Sequence, residues 1–295
     1  MRVSYSSSGL YQSCARKFYH RKIRKTPIDP DCEEDTTALR VGKCFHQVLE
    51  DCMHKRELYK VPIIKKAFID NDITEDTLKG LIMGMVKKYF ILHEKQGLET
   101  ISVEIEIGDE TLIGYVDAIM TDDDGGWYIV DLKTAGRLNN SLLSRLSKDP
   151  QLNIYSFYAP QIAKMLNLDV DMFRGTRYRV TTKAQIKKNK KESLLEFIKR
   201  VFDRVESYDI FIPAESLIPQ STHSHFMRLR EKMEELSEVK EELVPQNFGN
   251  CEAYFKPCEY WSRCYGKTFT HAAQEHQLYD SVNARKVEID DLEFL

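Results

Sequence analysis

Gly114-Tyr-Val-Asp117 and, past a polar turn, Val130-Asp131-Leu132-Lys133 decide how this chain is read. The runs 111–120 and 126–132 are rich in β-branched and aromatic residues, and Asp124-Gly125-Gly126 interrupts them. That pattern predicts two neighbouring strands joined by the turn 121–126. Side chains alternate along a strand, so Asp131 and Lys133, two apart, project to one side, and Asp117 on the adjacent strand is placed to join them. Two carboxylates and a lysine on one patch make a site for a hard divalent cation, with a cationic partner for water or phosphate. Such a patch suits phosphodiester hydrolysis. An Asp-x-Lys pair is also common as a solvated surface pair. Here it follows the apolar run Trp127-Tyr128-Ile129, and a carboxylate at a buried strand end is costly unless paired or metal-bound.

Downstream, Gln151 and Tyr155 are four apart in the segment 151–168, whose spacing is helical, so they share one face. The plainer reading makes Tyr155 a core aromatic and Gln151 a cap. Upstream, Gly42-Lys-Cys-Phe-His46-Gln-Val-Leu-Glu50 is helical and puts His46 and Glu50 on one face, although a lone helical histidine is more often structural than a ligand.

Taken together these pieces resemble the PD-(D/E)XK nuclease superfamily, and within it the RecB-like exonuclease branch. The matching motifs are Gly42-x3-His46-x3-Glu50, Gly114-x2-Asp117, Asp131-x-Lys133-Thr134 and Gln151-x3-Tyr155, in the family's order across residues 42–155. Asp131 stands where many members carry glutamate. The resemblance implies a restriction-endonuclease-like α/β fold: a central mixed β-sheet flanked by helices, with a helical elaboration and a metal-clamped C-terminal segment. It implies a Mg²⁺- or Mn²⁺-dependent DNA exonuclease acting on single strands or ends, in recombination, repair or phage DNA processing. His46, Asp117, Asp131 and the backbone carbonyl of Leu132 are the expected metal ligands. Lys133 is expected to orient water and stabilise the transition state, with Gln151 and Tyr155 positioning the nucleic acid or the water. A structure-specific endonuclease on the same core, or a non-catalytic nucleic-acid-binding subunit stabilised by zinc, are the alternatives.

Seven cysteines, Cys14, Cys32, Cys44, Cys52, Cys251, Cys258 and Cys264, form the second constellation. An odd count with no secretory leader argues against a disulfide framework and for a reducing, cytoplasmic compartment. Cys251-x6-Cys258-x5-Cys264 lies in a short aromatic-rich segment with Pro257, a spacing that suggests a metal-nucleated loop. Three ligands leave one position short. By resemblance to the RecB-like nucleases that hold a [4Fe-4S] cluster with one N-terminal and three C-terminal cysteines, Cys14 fills it. The chain departs from that pattern with Ala15 where proline often follows, and with a wider first C-terminal spacing. A zinc site or packed thiols are the other readings. Cys44 and Cys52 read as packing residues in the His46 helix, and Cys32 as a loop residue.

With 295 residues, 42% apolar and 30% charged, the chain fits one large domain, taken as residues 1–270, followed by a tail, 271–295. No run of eighteen apolar residues occurs, so no membrane span is expected. There is no G-x4-GK[ST] loop to power unwinding. The net charge of −3 argues against undiscriminating nucleic-acid binding by the whole surface, yet positive charge is dense in two places. Arg16, Lys17, Arg21, Lys22, Arg24 and Lys25 interleave with aromatics, and Lys183, Lys187, Lys188, Lys190 and Lys191 form a second group. Each fits a single nucleic-acid strand or a solvated face. The acidic–apolar end, residues 288–295, reads as a docking peptide for a recombination or replication partner, or as packing on the core.

Periodicity predicts helices over 4–23, 37–60, 74–95, 139–146, 151–168 (kinked at Pro160), 192–207 and 223–243. It predicts strands over 101–107, 111–120, 126–132 and 170–181, the last beside 126–132. Glu104 and Glu106, on the first strand, are secondary site candidates or an exposed face.

Overall fold

A computed structural model describes residues 1–29, 37–55, 60–93, 96–146, 148–252 and 257–266. Cys32 and the tail 271–295 lie outside these residues. Contacts divide the chain into two compact units, Met1–Tyr5 with Thr36–Arg230, and Ser6–Asp35 with Glu231–Leu295.

The first unit is built on a five-stranded sheet in the order β1 (Glu99–Gly108), β2 (Ile113–Thr121), β3 (Trp127–Ala135), β4 (Phe173–Thr182) and β5 (Ser207–Pro213). The first three strands form an antiparallel meander, β4 runs parallel to β3, and β5 returns antiparallel, so the sheet is mixed as expected. The parallel β3–β4 step needs a crossover, which α6 (Asn140–Leu146), α7 (Pro150–Phe157) and α8 (Ala159–Leu166) supply. One sheet face packs Ala118, Met120, Val130 and Leu132 against α3 (Thr37–His54), α4 (Val61–Asp70), α5 (Asp76–His93) and α9 (Leu194–Arg204). The other packs Ile119, Ile129, Tyr178 and Val180 against α6, α7, α8 and α10 (Pro219–Glu235). Helices on both faces of a mixed sheet make an α/β fold of the restriction-endonuclease-like type.

Several expectations are corrected. The helix predicted over 4–23 is three pieces, Tyr5–Ser13, Ala15–Phe18 and a π-helical turn Tyr19–Arg24, because Cys14 takes an extended conformation (φ −165°). The segment 151–168 breaks at Tyr158, where Pro160 cannot donate to the preceding turn and instead opens the first turn of the next helix. The helix predicted over 223–243 starts earlier, at Pro219, and ends at Glu235. Helix Val61–Asp70, with Pro62 in its first turn, was not among the predicted elements. Strand β5, Ser207–Pro213, falls beyond its first residue in a stretch for which periodicity predicted no element; it sits at the sheet edge, where its closing proline needs no ladder partner.

In the second unit the first basic stretch is spent on structure. The Arg16 guanidinium donates to the carbonyls of Val244, Glu241 and Glu242 at 3.0–3.1 Å, Lys17 and Arg21 pair with Glu259, and Arg24 donates to Tyr19 Oη at 2.7 Å. Three of the six cations proposed for strand binding, Arg16, Lys17 and Arg21, therefore hold the segments 16–21 and 241–259 together, and Arg24 is engaged within its own turn.

Candidate active site

The β2–β3 ladder pairs only Ala118–Thr121 with Trp127–Val130. Beyond it β3 keeps pairing with β4 as far as Ala135, while β2 stays on β1, so a wedge opens between β2 and β3. Asp117 stands on one lip and Asp131-Leu132-Lys133 on the other. The Leu132 amide, which faces β2 where the ladder has ended, donates to Asp117 Oδ2 at 2.6 Å instead of to a strand carbonyl. In an extended strand the carbonyl of a residue points the same way as its N–H, so the Leu132 oxygen faces the wedge as well.

The alternation of β2 slips at this point: Val116 and Ile119 both lie in the second core cluster, with Ala118 in the first. Opposite, Glu104 holds a left-handed conformation (φ 47°), and the register on either side of it pairs Val103 with Ala118 and Ile105 with Val116. The register is the same on both sides of this point, so Glu104 is the cross-strand neighbour of Asp117, and the local distortion turns Asp117 out of the regular ladder. Glu106, exposed like Glu104, is engaged with Arg2 and Tyr115.

On the β3 lip, Asp131 is buried, and Lys133 Nζ lies 2.8 Å from its Oδ2. Gln151, in the first turn of α7, donates through Nε2 to Asp131 Oδ1 at 2.7 Å and accepts from Lys133 Nζ at 2.7 Å. The same Nε2 lies 3.1 Å from Tyr155 Oη, one turn on. Asp149 starts α7 by accepting the Gln151 amide at 2.9 Å, which fixes where the glutamine points. Gly114 lets the Tyr155 ring lie against β2, since a Cβ there would come within 2.7 Å of that ring. The four residues read from sequence as a carboxylate–lysine pair and a Gln-x3-Tyr pair are thus one hydrogen-bonded network.

Burial raises the Asp131 carboxyl to about 6, although the Lys133 charge pulls against it. Asp117 is raised well above the usual carboxylate range by burial and then by the charge of Asp131. Two carboxylates that resist ionising side by side are what a hard divalent cation relieves, and their oxygens suit Mg²⁺ or Mn²⁺. His46 is on α3, held near 4 by burial and by the charges of Lys133 and Lys183. It lines a cavity with Glu50, whose carboxyl burial and then Glu104 and Asp51 raise to about 7. Among the described residues no three His, Cys, Asp or Glu side chains converge tightly enough to hold an ion as they stand. The structure therefore joins Asp117, Asp131, Lys133, Gln151 and Tyr155, and sets His46 in the neighbouring cavity.

The second unit gathers the other constellation. Cys14, Cys251, Cys258 and Cys264 line one small cavity with Tyr260 and Trp261. Donors point at the sulfurs: the Asn247 amide at Cys14 Sγ (3.5 Å), and Gln246 Nε2 and Tyr265 Oη at Cys251 Sγ (3.5 and 3.4 Å). Cys44 and Cys52 are buried in the α3 core, as their helical spacing predicts.

Sequence reading passed over Asp149, named Lys183 only as one member of the second basic group, and left Glu104 as a secondary candidate. Only the Asp-Pro start of a helix marked Asp149. Glu104 depended on a left-handed backbone conformation that no residue type announces.

Among solved structures, one described as "Crystal structure of SSO0001" is 17% identical, covering 86% of this chain and 95% of that one with a TM-score of 0.30. No curated protein matches the chain. No helix among the described residues is long and apolar enough to cross a membrane. The sequence profile of the PD-(D/E)XK nuclease superfamily matches residues 2–265. With its Asp-x-Lys strand at the opening of a mixed sheet, and with that profile spanning nearly its whole length, this chain belongs to the PD-(D/E)XK nuclease superfamily.

Proposed function

We propose that the protein is a Mg²⁺- or Mn²⁺-dependent deoxyribonuclease of the RecB-like branch. It acts as an exonuclease on single-stranded DNA or DNA ends, in recombination, repair or phage DNA processing in the cytoplasm. The observation that carries the reading is the Asp131–Lys133–Gln151 network set against Asp117 at the opened end of the β2–β3 ladder.

Asp117, Asp131 and the Leu132 carbonyl, with His46, would hold the divalent ion. When bound, it supplies Lewis-acid charge for the scissile phosphate and lowers the pKa of a ligated water. Asp131 and Gln151 hold the Lys133 ammonium at the wedge. From there Lys133 orients the attacking water and stabilises negative charge on the pentacovalent phosphate. Gln151 keeps the lysine and the carboxylate in register, and Tyr155 braces Gln151. Lys133→Ala is expected to lower Mn²⁺-dependent degradation of an end-labelled single strand by at least a hundredfold, without changing the melting temperature by more than a few degrees. Full activity in that variant would refute the assignment. Cutting of a closed circular single strand would favour the endonuclease reading.

Cys14, Cys251, Cys258 and Cys264 are assigned to a [4Fe-4S] cluster that ties the N-terminal helices to the C-terminal segment within the second unit. Support comes from the shared cavity and from the donors aimed at its sulfurs, which tune cluster thiolates. Anaerobic purification should give a brown protein with iron and acid-labile sulfide in equal amounts, and Cys14→Ala should lose both. One zinc per chain, with no visible band, would replace the cluster with the zinc reading.

A further inference from the structure

Beside α3 a cavity of about 870 Å³ opens, its wall including Leu39, Lys43, His46, Glu50, Thr134 and Lys183. Lys183 follows directly on β4. Its amide donates to the Ala135 carbonyl at 2.7 Å, so its root is fixed at the end of β3, two residues beyond Lys133. Its ammonium donates to the Ala38 carbonyl at 3.3 Å, a long bond that uses one of three donors. Among the described residues no carboxylate pairs with it, in contrast to Lys17 and Arg21 of the first basic stretch. Its charge and that of Lys133 are both felt at His46, so it stands within electrostatic reach of the site.

The loop leaving the cavity carries Lys187, Lys188, Lys190 and Lys191, and Ala184 and Ile186 anchor it by packing on the core. A half-buried lysine at the cavity wall followed by four more along an anchored loop makes a cationic track that begins at the site. The cavity volume lies in the range of small-ligand sites, enough for a few nucleotides of one strand. It is too small for a double helix whose major groove alone is about 12 Å wide. Exposed Leu39 offers an apolar shelf for a base or sugar.

We propose that this cavity seats a single nucleic-acid strand beside the cleavage position, with Lys183 gripping the phosphate next to the scissile one and Lys187–Lys191 continuing the track outward. This rests on the hydrolytic reading of the wedge, and binding measured without divalent ion separates the two. Anisotropy of a fluorescein-labelled oligothymidylate in EDTA, titrated at several salt concentrations, is the test. Lys183→Ala is expected to weaken binding roughly tenfold and to flatten the slope of log affinity against log salt by about 0.7, the release expected for one single-strand phosphate. Lys183→Arg should stay near wild type, and replacing Lys187, Lys188, Lys190 and Lys191 together by alanine should flatten the slope by up to about 3. Thermal melting of each variant checks that it is folded, and Lys183→Gln serves if the alanine variant is not.

An unchanged affinity and slope in a folded Lys183 variant would overturn the proposal, as would preferential binding of a blunt duplex of equal length. A wild-type protein that binds through Lys183 yet cuts nothing would leave this proposal standing and remove the hydrolytic one. One that cuts without any dependence on Lys183 would do the reverse.

Discussion

At the scale of single residues, buried polar groups in the first unit are organised by pairing. His93 is 4% exposed; its Nδ1 meets Gln96 Oε1 at 3.1 Å and its Nε2 meets Ser207 Oγ at 2.8 Å. The Gln96 oxygen also accepts from Arg179 at 3.1 Å, so Nδ1 carries the proton and Nε2 accepts from Ser207. Burial, and then the Arg179 charge, lower the His93 pKa from 6.5 to about 4. The unfolded chain therefore takes up this proton first as pH falls. The stability it contributes is complete above pH 6.5, declines between 6.5 and about 4, and falls no further below that. At pH 5 the loss is about 2 kcal/mol. Urea unfolding at pH 7.5 and 5 should show His93→Gln losing less between the two than wild type; parallel losses would refute the assignment. Nothing in the sequence around His93 announces this, because Gln96, Arg179 and Ser207 meet it only through tertiary structure. Asp131 and Lys133 were legible because period-two alternation fixes their shared side whatever surrounds them.

At the scale of elements, α5 and α9 lie in close contact because α5 presents glycine where α9 presents bulk. A Cβ on Gly84 would come within 2.5 Å of Val201 Cγ1, and one on Gly80 within 2.8 Å of the Phe197 ring. Alanine would gain about 1 kcal/mol of helix propensity at such a position. The overlap costs about 1–3 kcal/mol, so packing wins unless the helices part. Gly84→Ala is expected to lower the melting temperature, and adding Val201→Ala should restore most of it; a more stable single variant would contradict the close approach. Both helices were visible in the periodicity of the chain, with ends shifted by a few residues. The need for Gly80 and Gly84 in α5 was not legible, because the α9 surface they face is distant in the chain. Helix Val61–Asp70 and strand Ser207–Pro213 were not predicted; each contains a proline, Pro62 and Pro213, that sits where an amide is not needed.

At the scale of the whole molecule, the sequence by itself determined the strand carrying Asp131 and Lys133 and the helix face pairing Gln151 with Tyr155, and through the resemblance carried by those motifs it implied the fold class. The strand and the helix face follow from local periodicity, which depends only on backbone geometry. Tertiary structure alone decided that β2 and β3 part at Asp117, and that the Leu132 amide falls to that carboxylate. It also decided that Lys183 enters the His46 cavity while Arg16, Lys17, Arg21 and Arg24 are consumed holding their own unit together. The physical reason is that a charge run has the same composition whether it faces solvent, a phosphate or a neighbouring carbonyl. Only the position of partners distant in the chain fixes which of these the folded molecule provides.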